Sequence, residues 1–119
     1  PSSLMLALMA SGLNGQTFAF SGYIPAKTDE RRQALKSLER RSASEHQTQI
    51  FIETPYRNDS LFADILNICQ NSTELCIAAN ITMPDAFIRT KTIAEWKKFA
   101  AGKNEVIGKR PCVFLILGH

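Results

Sequence analysis

The sequence predicts one α/β domain, a mixed sheet of about five strands with helices on both faces. Two observations carry that expectation. Apolar, β-prone runs at Phe18–Tyr23, Gln49–Glu53, Glu74–Ile81 and Cys112–Leu117 alternate with segments of helical periodicity. Most of those runs are continuous rather than alternating, as strands covered on both faces require. A chain of 119 residues, 45% apolar and 21% charged, suits one domain with a real core.

Taken in order, Ser2 or Ser3 can cap a helix, Ser3–Ala10, that is apolar nearly all round, so it is expected to be buried or covered by a partner. Gly12 suits the left-handed position that ends it, and Asn14-Gly15 marks a turn. Phe18 to Ile24 reads as a strand with Phe18 and Phe20 on one face, both counted as core, and Pro25 closes it. Thr28-Asp-Glu-Arg31 is close to a capping box and opens the most exposed helix of the chain, with Ala34, Leu35 and Leu38 as its narrow apolar stripe.

The stretch Thr48 to Ser60 organises the rest. A strand ends at Pro55, which lacks an N–H, and Asn58, Asp59 and Ser60 offer capping chemistry to the next helix, Asp59–Cys69. A strand end, a polar turn and a helix start are the usual ligand position in an α/β sheet. Beyond it come strand Glu74–Ile81, a short extended segment Ala86–Thr92, an amphipathic helix Ile93–Ala100 stopped by Gly102, and strand Cys112–Leu117.

A net charge of +3 is compatible with an anionic partner, although Glu30, Glu39, Glu45 and Glu95 dilute the basic groups. No apolar run reaches the ~18 residues of a membrane span. The three cysteines have no metal-ligand spacing and read as buried thiols of a reducing, cytoplasmic protein. His46 and His119, the two histidines, lack the setting of a catalytic base. There is no Gly-x-Ser-x-Gly frame, P-loop or Gly-x-Gly-x-x-Gly. The chain holds no self-sufficient catalytic set and no metal site, so a partner is missing or the function is binding.

Certain segments resemble a known family. Pro1-Ser-Ser3, the helix ending Ala10-Ser-Gly12, Phe18-Ala-Phe-Ser-Gly-Tyr-Ile-Pro25, Glu30-Arg-Arg32 and Glu53-Thr-Pro-Tyr-Arg57 are together similar to the second domain of tetrapyrrole-methylase-type (class III) methyltransferases. The nearest branch is the one containing ribosomal RNA small subunit methyltransferase I. The resemblance runs from Pro1 to His119. It implies that residues 1–119 are the C-terminal α/β domain of a two-domain enzyme, the amino-terminal domain being absent, with the tetrapyrrole methylase fold.

That family binds S-adenosylmethionine between its two domains. The resemblance implies that Ile52, Glu53, Thr54 and Pro55 border the adenine side of the cleft, that Ala7 and Ser11 lie on the helix flanking it, and that Thr90, Lys91, Thr92 and Ile93 lie close to the adenosine. Lys91 stands where the family has glycine, Tyr56 where it has His, and Ala78-Ala-Asn-Ile-Thr-Met83 where the ribosomal branch has Ala-Arg-Glu-Leu-Thr-Lys. The implied activity is RNA methylation, on a 2′-hydroxyl of ribosomal RNA, with C-methylation of a tetrapyrrole as the alternative. A nucleotide- or RNA-binding module without catalysis is the reading of another class. The catalytic residues are unassigned. This chain by itself is expected to be inactive, to form a homodimer and to have no membrane contact.

Overall fold

The computed structural model describes residues 3–119. The elements are α1 (Ser3–Ser11), β1 (Phe18–Tyr23), α2 (Thr28–Glu45), β2 (Thr48–Ile52), α3 (Asn58–Ile68), β3 (Glu74–Ala79), β4 (Phe87–Thr92), α4 (Ile93–Ala100) and β5 (Cys112–Leu117), with a single 3-10 turn at Pro55–Arg57. The five strands form one sheet in the order β1-β2-β5-β3-β4. β1 pairs β2 in parallel, and the other neighbours are antiparallel. Hence β1, β2 and β3 point one way, and β4 and β5 point back.

Alternation along each strand sorts the core into two layers. Phe51, Leu75, Ile77, Phe114 and Ile116 face α2, α3 and α4, where Leu35, Leu61, Ile65 and Trp96 meet them. Phe51 and Phe114 stack with ring centroids 5.8 Å apart. The Trp96 indole, fully buried, donates its N–H to the Leu75 carbonyl at 2.7 Å, which satisfies the polar atom of a large core side chain. On the other face Ile50, Cys76, Ala78, Val113 and Leu115 meet Ala7 and Leu8 of α1.

Among the described residues α1 is the helix on this face, and it lies over β3, β4 and β5. This corrects one expectation. Phe18 and Phe20 are not core: they are 40% and 49% exposed, because among the described residues no element covers the α1 side of edge strand β1. Met5 and Met9 project from the outer side of α1, with Met9 77% exposed, so that helix is only partly covered by its own domain.

Several local signals resolve differently. The expected cap at Ser2 lies outside the described residues, and Ser3 is already helical. Thr28 is the first residue of α2 rather than its cap, and Lys27, which precedes it, makes no side-chain cap bond. A full capping box occurs instead at Thr92 and Glu95, at the start of α4. β3 stops at Ala79, two residues before its expected end, since Asn80 adopts φ 50° and cannot continue a ladder. Gly12, at φ 71°, takes the left-handed position after α1 as expected. Among the described residues no helix is long and apolar enough to cross a membrane.

Candidate functional site

The carboxyl ends of the three co-directional strands converge on a cleft of about 340 Å³. Tyr23 ends β1, Ile52 and Glu53 end β2, and Ala78 and Asn80 lie at the end of β3. Because β5 runs antiparallel between β2 and β3, its beginning (Pro111, Cys112 and Val113) reaches the same place. Ser3 at the start of α1 and Pro55, Ile81 and Met83 complete the lining. The volume lies within the ~300–1,000 Å³ of small-molecule sites, and free strand ends are where an open α/β sheet binds ligands.

The floor is mostly apolar, and the turns around it are tied down by carboxylates. Asp59 accepts the backbone N–H groups of Val106 (2.8 Å), Ile107 (3.1 Å) and Gly108 (2.7 Å). The neighbouring Asn58 side-chain amide donates to the carbonyls of Gly108 and Arg110. Asn58 and Asp59 thus leave their own helix uncapped and clamp the loop that delivers Pro111 to the cleft. Ser60, the third residue expected to cap, accepts from Arg31. On the far rim Asn80 donates to both oxygens of Asp85, and Arg110 donates to the Asp85 carbonyl.

The chain matches ribosomal RNA small subunit methyltransferase I over its whole length: 32% identity with the Vibrio cholerae protein and 30% with that of Escherichia coli O157:H7. The Pseudomonas aeruginosa protein is 31% identical across 98% of the chain. The chain spans about 40% of the length of these curated relatives. Among solved structures, the methyltransferase CobJ superposes with a TM-score of 0.61 at 20% identity, covering 96% of this chain and 47% of its own. The cobalt precorrin-4 methyltransferase CbiF gives 0.59 at 13% identity over 98% of this chain and 48% of its own. The chain therefore shares the fold of these tetrapyrrole-methylase-type enzymes. In sequence it is related to ribosomal RNA small subunit methyltransferase I. No family model matches it.

Within this domain the ten residues that the resemblance singled out fall into separate places. Ile52, Glu53 and Pro55 line the cleft. Thr54 lies between Glu53 and Pro55 but is not part of the lining, and its hydroxyl faces the Glu53 carboxylate and the Arg57 guanidinium. Ala7, Ser11 and Thr90 form a second group beneath α1: Ala7 is fully buried, and Thr90 Oγ1 donates to the Ser11 carbonyl at 2.7 Å. Thr92 caps α4. Ile93 and Lys91 project to the opposite layer, Ile93 into its core and Lys91 over the rings of Trp96 and Phe99.

Sequence reasoning missed the contribution of β5 to the cleft, since only the strand order brings Pro111 and Val113 beside Ile52. It also missed Arg31, which is 2% exposed on a helix read as solvated. A signal for it exists. Arg31, Leu35, Leu38 and Ser42 follow one helical stripe, and of these Arg31, Leu35 and Ser42 are buried.

The three thiols carry no reactive character. Burial pushes Cys69 and Cys112 up to about 12 from 9.0, the Glu39 carboxylate adding to the effect at Cys69, and burial raises Cys76 as well.

Proposed function

We propose that this chain is one wall of the S-adenosylmethionine site of a methyltransferase whose other wall is a further domain of the same protein. The observation that carries the reading is the convergence of three strand ends and the start of β5 on one apolar cleft, in a fold shared with methyltransferases. The residues present fit such a ligand. Ile52, Ala78, Ile81 and Val113 offer an apolar bed for a flat aromatic base, with the polar groups of Glu53, Asn80 and Ser3 at its edge. When bound, the cofactor supplies a methyl group on a sulfonium, and transfer relies mostly on in-line placement of the acceptor. That suits a cleft whose floor carboxylate, Glu53, is already engaged by Arg31 and by the Thr54 N–H, and so is not free to act as a base.

The substrate class we favour is RNA, which the names of the sequence relatives support. Arg32, Lys36, Arg40 and Arg41 add support, being exposed on α2 with no carboxylate within ion-pair distance among the described residues. A cytoplasmic location goes with an RNA substrate. The exposed side chains of Met5, Met9, Phe18, Phe20 and Tyr23 belong to a face covered in the whole protein, by the second domain or by a second copy in a homodimer.

Calorimetric titration of S-adenosylmethionine tests the reading, with this chain, the full-length parent and its Ile52→Trp variant. A productive site buries ~70–90% of its ligand. One wall alone should therefore bind roughly a thousandfold more weakly than the parent, at ~1.4 kcal/mol per decade. Ile52→Trp, which fills the cleft, should weaken the parent by more than about tenfold, ~1.4 kcal/mol. Micromolar binding by this chain alone, or an unaffected variant, counts against the assignment. Sedimentation of the parent at high concentration decides between the two covers, a monomer removing the second copy.

A further inference from the structure

Arg31 is a buried cation on a helix whose other basic side chains, Arg32, Lys36, Arg40 and Arg41, are exposed. Its guanidinium reaches four residues in three parts of the chain at once. Nε donates to the Pro25 carbonyl after β1 at 3.0 Å, Nη1 donates to Ser60 Oγ at 3.2 Å and Asp64 Oδ2 at 3.1 Å on α3, and Nη2 donates to Glu53 Oε2 at 2.5 Å. Glu53, whose side chain is 2% exposed, uses its other oxygen to accept the Thr54 N–H at 2.8 Å, with Arg57 Nη1 at 3.9 Å beyond it.

Stability alone does not explain this arrangement. Desolvating a guanidinium and a carboxylate is costly, and apolar replacements of buried ion pairs are often neutral or stabilising. What the pair does achieve is directional. A guanidinium presents five donors in a rigid plane, so fixing three of its nitrogens fixes where the Glu53 carboxylate sits. That carboxylate in turn holds the peptide between Glu53 and Thr54, the point where β2 leaves the sheet and enters the cleft.

We propose that Arg31 is a positioning residue for the cleft. Acting through Glu53, it sets the backbone at the end of β2 against which the ligand lies, although the guanidinium itself is packed in the opposite layer and is absent from the cleft lining. This rests on the cofactor reading above. Lysine keeps the charge but not the fork, and cannot serve Pro25, Ser60, Asp64 and Glu53 together.

The test uses the full-length parent with Arg31→Lys, Glu53→Gln and the double variant Arg31→Met/Glu53→Met. Three readouts apply: thermal unfolding, the Kd for S-adenosylmethionine, and hydrogen exchange at the Thr54 amide. The double variant removes both buried charges, so it should unfold near the wild-type temperature while its Kd rises about tenfold or more and Thr54 loses protection. Arg31→Lys and Glu53→Gln should also bind at least about tenfold more weakly, with cooperative unfolding retained. A purely structural role predicts the opposite for the double variant, stability and affinity recovering together, and that result overturns the proposal. Wild-type affinity in Arg31→Lys overturns it as well. A wild-type parent that fails to bind the cofactor sinks the cofactor reading instead. Thr54 exchange then decides on Arg31 alone, unchanged protection in the double variant overturning its role.

Discussion

Asp59→Ala is the perturbation whose cost the structure states most directly. One carboxylate accepts three backbone N–H groups, from Val106, Ile107 and Gly108, at 2.7–3.1 Å. A hydrogen bond to a charged acceptor contributes about 1.5–3 kcal/mol, and three on one group do not add fully, so about 3–5 kcal/mol is the expected loss. A domain of this length has about 6–18 kcal/mol in total, at ~0.05–0.15 kcal/mol per residue. Urea unfolding should show the midpoint falling by about 2–3 M for an m-value near 1.5 kcal/mol/M. Asp59→Asn should recover part of the loss. It keeps one oxygen for Val106 and Ile107 but turns an amide N–H₂ toward the Gly108 N–H. Amide exchange at residues 106–108 should accelerate in Asp59→Ala before global unfolding. A midpoint shift equivalent to less than about 1 kcal/mol would refute the clamp, since that is the worth of an ordinary neutral hydrogen bond.

Two further outcomes follow from backbone strain and from the thiols. Thr82 is a β-branched residue at φ 77°, in the turn closed by the Met83 N–H on the Asn80 carbonyl at 2.9 Å. Relief of ~1–3 kcal/mol of strain outweighs the ~0.5–1 kcal/mol entropy cost of glycine, so Thr82→Gly should raise the urea midpoint, and a lower midpoint would show that the turn is unstrained. Cys69 and Cys112 titrate near 12 in the fold against 9.0 in the unfolded chain, so the folded state holds more protons in that interval. Their contribution to stability is therefore complete below about pH 9 and lost as pH rises toward about 12. A Cys69→Ala/Cys112→Ala variant should lose less stability between those limits than the wild type, and parallel pH profiles would contradict burial of the thiols.

Much of the fold was legible because its signals are local. β1, β5 and α4 occupy the residues expected of them, since continuous apolar runs, helical spacing and a stopping glycine act within a few residues. The resemblance was legible for a similar reason, as Glu53-Thr-Pro-Tyr-Arg57 is one contiguous segment directly after β2. Polar residues were the ambiguous ones. Asn58, Asp59 and Ser60 carry cap chemistry that the sequence assigns to the nearest helix, yet their partners are about fifty residues later for the first two and about thirty earlier for Ser60. Arg31 looked solvated because charge is a surface signal until a partner is known, and its partner Glu53 lies on another element.

What the chain by itself determined is therefore the list of elements, their faces and the resemblance to known relatives. Tertiary structure decided the strand order, and with it the cleft. β5 is apolar on both faces and pairs centrally between β2 and β3, where the helix layers cover those faces, and that place carries Pro111 and Val113 to Ile52. It also decided that α1 covers β3, β4 and β5 and leaves Phe18 and Phe20 bare. Periodicity says which side of a strand is apolar, whereas only packing says whether anything lies against it.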